Sequence, residues 1–124
     1  MKDPTNPVCR TISTLLSRIG DKWTVLVVQT LADGPKRFNQ LRREIPSVSQ
    51  RMLTLTLRNL ERDGLVNRTV TPSIPPRVDY ELTKLGHSLQ KPICGLANWA
   101  LDNVEAIHGA QARFDAAHDA AEAA

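Results

Sequence analysis

The run from Ser47 to Leu82, SVSQRMLTLTLRNLERDGLVNRTVTPSIPPRVDYEL, constrains this chain more than any other stretch. At about 100° per residue, Leu53, Thr56, Leu57 and Leu60 share one helical face. Arg51, Thr54, Leu55, Arg58 and Arg62 fall on the opposite face, with Gln50 at its N-terminal shoulder. Ser47-x-x-Gln50 matches a capping box, Ser49 is a competing N-cap, and Gly64 supplies the stop. Leu65 to Thr71 is rich in β-branched residues, and Arg77 to Leu82 alternates, with Val78, Tyr80 and Leu82 on one face. Between these runs, Pro72-Ser73-Ile74-Pro75-Pro76 suits neither helix nor central strand, so it makes the tip of a hairpin flanked by Arg68 and Arg77.

The flanking segments supply support. Asn6-Pro7 starts a helix, with Val8, Ile12, Leu15, Leu16 and Ile19 at helical spacing and Gly20 at its end. Asp21 caps a second helix whose core stripe reads Trp23, Leu26, Val27, Thr30 and Leu31, stopped by Gly34-Pro35. Phe38 to Ile45 forms a short third helix, with Phe38 and Leu41 inward, Lys36, Arg37, Arg42 and Arg43 outside, and Pro46 closing it. Thr83 caps a long helix with Leu85, Leu89, Ile93, Leu96, Ala100, Val104 and Ile107 on one stripe, which Pro92 should kink or divide after Gln90 or Lys91. Trp99 lies beside that stripe, and the stripe itself suits pairing with a second copy. From Gly109 onward the chain is polar and alanine-rich, either a frayed helix or a partly disordered tail.

The fold class is therefore mainly α with a small β-hairpin. Residues 1–108 make a single domain, with dimer helices 7–19 and 83–108, a helix over about 49–63 and a hairpin over about 65–82. A short helix, a tight turn and a longer helix give a helix-turn-helix, and a basic hairpin behind it completes a winged-helix arrangement. The combination is far more specific than either half.

Charge agrees with that division. From Lys36 to Lys91 eleven basic residues face five acidic ones, whereas after Lys91 only Arg113 opposes Asp102, Glu105, Asp115, Asp119 and Glu122. The middle of the chain is a surface for a polyanion and the tail is not. No apolar run spans a bilayer and the N-terminus lacks the apolar core of a signal peptide, so the expected compartment is the cytoplasm. Cys9 and Cys94 stand at neither metal nor redox-motif spacing, and His87, His108 and His118 lack partners at ligand spacing, so no metal or cofactor is expected. Paired carboxylates, a nucleophile elbow and a phosphate loop are all missing, which argues against an enzyme. A winged helix used for protein–protein contacts is the stronger rival to DNA binding.

The chain resembles the HxlR-type winged-helix transcriptional regulators, relatives of the MarR group. The resemblance rests on Cys9, Ile19-Gly-Asp-Lys-Trp23-Thr, Gly34-Pro-Lys-Arg-Phe38-Asn-Gln-Leu, Ile45-Pro, Ser49-Gln-Arg-Met-Leu-Thr54, Leu57-Arg, Leu60-Glu-Arg-Asp-Gly-Leu65, Pro75-Pro-Arg-Val and Tyr80-Glu-Leu-Thr-Lys-Leu-Gly86. It implies a homodimeric repressor on double-stranded DNA, an operator of two-fold symmetry. The helix from Ser49 would lie in the major groove, with Gln50, Arg51 and Thr54 on bases or phosphates and Arg77 anchoring the wing. Arg37, Arg58 and Arg68 complete the expected DNA-binding set. Leu55 departs from the polar Gln frequent in relatives and is expected to meet a thymine methyl.

The resemblance also implies control by electrophiles or oxidants through Cys9, which falls in the first turn of the first helix, where backbone N–H groups favour thiolates. Cys94 is either its partner across the dimer or a small apolar residue. A non-covalent ligand between the winged domain and the dimer helices is the alternative signal.

Overall fold

The computed structural model describes residues 7–123, in the order α1 (Pro7–Ile19), α2 (Lys22–Leu31), β1 (Lys36–Arg37), α3 (Phe38–Glu44), α4 (Gln50–Arg62), β2 (Val66–Thr71), β3 (Arg77–Leu82) and α5 (Lys84–Ala123). Asn6, the expected first N-cap, lies outside the described residues. These residues fall into two compact units that divide between Lys91 and Pro92.

In the first unit, local chemistry sets the helix ends. The Asp21 carboxylate accepts from the backbone N–H groups of Trp23 and Thr24, at 2.9 and 3.3 Å, and so begins α2. Ser49, rather than Ser47, caps α4: its Oγ accepts from Met52 N–H at 3.0 Å. The other end of α4 closes with Gly64 at φ +77°, where Gly64 N–H donates to Glu61 and Leu65 N–H donates back to Leu60. That reversal turns the chain straight into β2.

β2 and β3 pair antiparallel from Val66↔Leu82 to Thr71↔Arg77, leaving residues 72–76 as the tip, with Ile74 fully exposed. The sheet has a third strand that the sequence does not announce. β1 pairs with the other edge of β3, Lys36↔Tyr80 and Arg37↔Asp79, giving the order β1-β3-β2. Two residues are too few to show a periodicity of two, so only the pairing reveals them.

The core gathers Val27, Val28, Leu31, Leu41, Ile45, Val48, Leu53, Leu57, Leu60, Val66 and Leu82. On α4 the buried set is Leu53, Thr56, Leu57 and Leu60, the face read from the sequence. Buried Thr56 satisfies its hydroxyl on the Met52 carbonyl at 2.8 Å.

Two packing expectations, those for α2 and for Lys36, need correction. On α2 the buried residues are Thr24, Val27, Val28 and Leu31, while Leu26 is 36% exposed and Trp23 and Thr30 are half-buried. The stripe is rotated because α2 is covered from more than one side, by α3, α4 and β3. Trp23 carries the Lys22 ammonium over its ring at 4.5 Å. On α1, Cys9 is the buried residue, and Val8, Leu15 and Leu16 are exposed. Lys36, placed outside by the sequence, is buried and paired to Glu44 at 2.9 Å.

α5 begins with Thr83, whose Oγ1 accepts from Gly86 N–H at 3.0 Å and donates to the Gly64 carbonyl at 2.6 Å. Its helical backbone continues through Pro92, so the division expected there is not seen. In the second unit it continues to Ala123, so the helical alternative for the stretch after Gly109 is the one observed. Alanine is the strongest helix former, which carries the chain past Gly109. Leu96, Trp99, Leu101, Val104, Ile107 and Phe114 are exposed there.

Candidate nucleic-acid interface

The interface is built from α4 outward. Because Leu53, Thr56, Leu57 and Leu60 are held in the core, helical geometry fixes what points the other way: Gln50, Arg51, Thr54, Leu55 and Arg58 are all exposed. These five line one shallow hollow on the outer side of the helix. Thr54 donates its hydroxyl hydrogen to the Gln50 carbonyl at 2.8 Å, so it presents an acceptor and a methyl rather than a donor. The hydrogen-bond donors left around this hollow belong to Gln50, Arg51 and Arg58. Ser49 uses its oxygen on the cap, at the positive end of the helix where an anion is favoured.

The hairpin carries the remaining arginines. Arg68, opposite Tyr80 on β2, is exposed. Arg77, where β3 begins, is half-exposed and its Nε donates to Asp79 at 2.9 Å. That pair holds the guanidinium along the strand and offsets part of its charge, a restraint that the sequence reading missed. An i, i+2 spacing on one strand face is the signal that would have found it. Arg37 is exposed on β1 and lies opposite Asp79. The set drawn from the sequence thus divides into a helix group and a sheet group, with Arg37 and Arg77 both beside Asp79.

Sequence reasoning also missed what lies behind the exposed face. Arg18 of α1 reaches Asp63, the residue that closes α4, with Nη1 2.7 Å from each carboxylate oxygen. A cleft of about 500 Å³ opens between α1, the start of α2 and α4, lined in part by Thr14, Ser17, Arg18, Asp21, Met52 and Asn59. Leu55 borders both this cleft and the outer hollow. Arg18 and Asp63 are 45 residues apart, beyond the reach of any local pattern.

The candidate thiols lie on α1 and α5. Cys9 is the third residue of α1 and only 9% exposed. Cys94 is half-buried, in the second unit. No helix is long and apolar enough to cross a membrane among the described residues.

Comparison with known proteins agrees with this geometry. Residues 18–108 match the family model for the HxlR-like helix-turn-helix. The HTH-type transcriptional regulator YdeP of Bacillus subtilis is 42% identical over 106 residues, 81% of this chain and 83% of that protein. The redox regulator HypR in its reduced form superposes with a TM-score of 0.74 at 40% identity, covering 80% of this chain and 98% of that one. The reduced form of YodB from B. subtilis superposes at 0.65 with 36% identity, covering 77% and 91%. HypR and YodB are winged-helix regulators, the architecture that this chain shares. The chain belongs to the HxlR-like helix-turn-helix family, a family of DNA-binding transcriptional regulators rather than enzymes.

Proposed function

We propose that this chain is a cytoplasmic repressor that works as a homodimer on a two-fold-symmetric operator. The observation that carries this reading is the division of α4 into a wholly buried apolar face and an exposed face of Gln50, Arg51, Thr54, Leu55 and Arg58. Such a helix enters the major groove, where arginine and glutamine meet base edges and phosphates. Ser49 brings the α4 N-terminus to a phosphate, and Arg37, Arg68 and Arg77 serve the flanking backbone or minor groove. In this reading 49–63 is the recognition helix, 65–82 the wing, 7–19 and 83–108 the dimer helices, and 109–124 an extension. Exposed Val8, Leu15 and Leu16 on α1, and Leu96, Trp99 and Val104 on α5, are apolar groups suited to a second copy.

Cys9 is the proposed sensor. HypR, similar over most of this chain, is a redox regulator, and Cys9 stands in the first turn of α1. A quinone would add to the Cys9 thiolate, forming a C–S bond as the ring takes up the proton and becomes a quinol. Diamide would instead draw two electrons from Cys9 and a second thiol, Cys94 of the other copy or a small thiol, leaving a disulfide and the hydrazine. The cleft between α1 and α4 supports a second reading, in which a non-covalent ligand supplies the signal.

The test is a gel shift on the DNA upstream of the chain's own coding region, with and without diamide. The wild-type protein should retard the fragment and lose it on oxidation, and Cys9→Ser should retain it. A diamide response that survives Cys9→Ser rules out Cys9 as sensor. Failure to retard any duplex rules out the operator reading.

A further inference from the structure

Leu55 is the exposed large apolar side chain of α4, at 48%, among groups that are otherwise polar or charged. It occupies the middle of the stripe Arg51, Leu55, Arg58, at i, i+4 and i+7. At about 1.5 Å per residue it lies roughly 6 Å from Arg51 and 4.5 Å from Arg58 along the axis, between one and two base-pair steps of about 3.4 Å. Its neighbour Thr54 directs its hydroxyl hydrogen to the Gln50 carbonyl. The centre of the face is therefore apolar, with an arginine one turn away on either side.

We propose that Leu55 is a specificity-determining residue that packs against the C5 methyl of a thymine lying between the positions approached by Arg51 and Arg58. The proposal rests on α4 lying in the major groove and names what its centre reads there. Thymine alone among the four bases presents a methyl group in that groove. Leucine can neither donate nor accept a hydrogen bond. Any other base edge pressed against it gives up water without replacement: cytosine its amino group, the purines their N7 and exocyclic groups. Leu55 thus selects twice, by burying a methyl and by penalising polar edges. With 48% of its surface open, the residue contributes little to the core, so its replacement should leave the fold intact.

The test uses duplexes that the full-length wild-type protein enriches from a randomised library, with each thymine replaced in turn by deoxyuridine, which removes only the methyl. Affinities are measured by fluorescence anisotropy for the wild type, Leu55→Ala and Leu55→Gln. The wild type should lose about fourfold in affinity at one symmetry-related thymine per half-site, the effect of one methyl-sized group. Leu55→Ala should bind the thymine and deoxyuridine duplexes equally. Leu55→Gln should enrich adenine at that position, since Gln pairs bidentately with it. A wild type indifferent to every deoxyuridine, or a Leu55→Ala variant as sensitive as wild type, overturns the assignment to Leu55 while leaving DNA reading by α4 in place. Enrichment of no duplex overturns both.

Discussion

Arg18, in the last turn of α1, places Nη1 2.7 Å from both carboxylate oxygens of Asp63, the residue on which α4 ends. Both side chains are partly buried, so the pair is screened less than a surface ion pair, and it fixes the far end of the exposed helix to α1. Removing either partner should cost about 1–2 kcal/mol, above the value for exposed pairs because the survivor is left partly desolvated. Urea unfolding of Arg18→Ala, Asp63→Ala and the double variant checks this. A coupling energy of about 1 kcal/mol is expected, and additive losses would show that the contact adds nothing of its own.

Arg51 and Arg58 should affect binding without affecting folding, because both project from the exposed side of α4. Arg51, in the first turn, should cost about 1–3 kcal/mol when replaced by alanine and relax the preference at one base pair. Arg58, two turns further on, should weaken all duplexes alike and lower the slope of log K against log salt by about one. Anisotropy titrations across a range of salt separate the two. Unfolding midpoints of both variants should stay within about 0.5 kcal/mol of wild type.

Gly86 gives the sharpest stability prediction. A Cβ built there would lie 2.1 Å from the Leu65 carbonyl oxygen, so even alanine forces apart the start of α5 and the backbone leading into β2. Gly86→Ala should destabilise by about 2–4 kcal/mol, in the range of strained or overpacked sites. Gly64→Ala, at φ +77° with open space around it, should cost only about 1 kcal/mol. Chemical denaturation that ranks Gly64 above Gly86 would contradict this packing.

Lys36 and Glu44 join β1 to the end of α3, with the lysine side chain 10% exposed and the glutamate 42%. Losing Glu44 leaves an ammonium buried without its counter-charge, whereas losing Lys36 leaves a carboxylate that water can reach. Glu44→Ala should therefore cost about 1–2 kcal/mol, and Lys36→Met less than about 1 kcal/mol. The order of the two unfolding midpoints decides the matter.

The sequence by itself determined the elements whose signal is local. A helix repeats its environment every 3.6 residues, so Leu53, Thr56, Leu57 and Leu60 disclose the buried side of α4 and thereby the exposed one. Caps and stops act over a few residues, which makes Asp21, Gly64 and Thr83 legible. The proline-rich tip between two β-branched runs marks the hairpin in the same way. The tertiary structure decided what depends on partners remote in sequence. Only the register of β3 makes Lys36–Arg37 a strand, and only the fold brings Glu44 to Lys36 and Asp63 to Arg18. The inward side of α2 could not be read as a stripe, because elements far along the chain cover it from several directions. Local periodicity states which residues avoid water; packing across the chain determines what they meet instead.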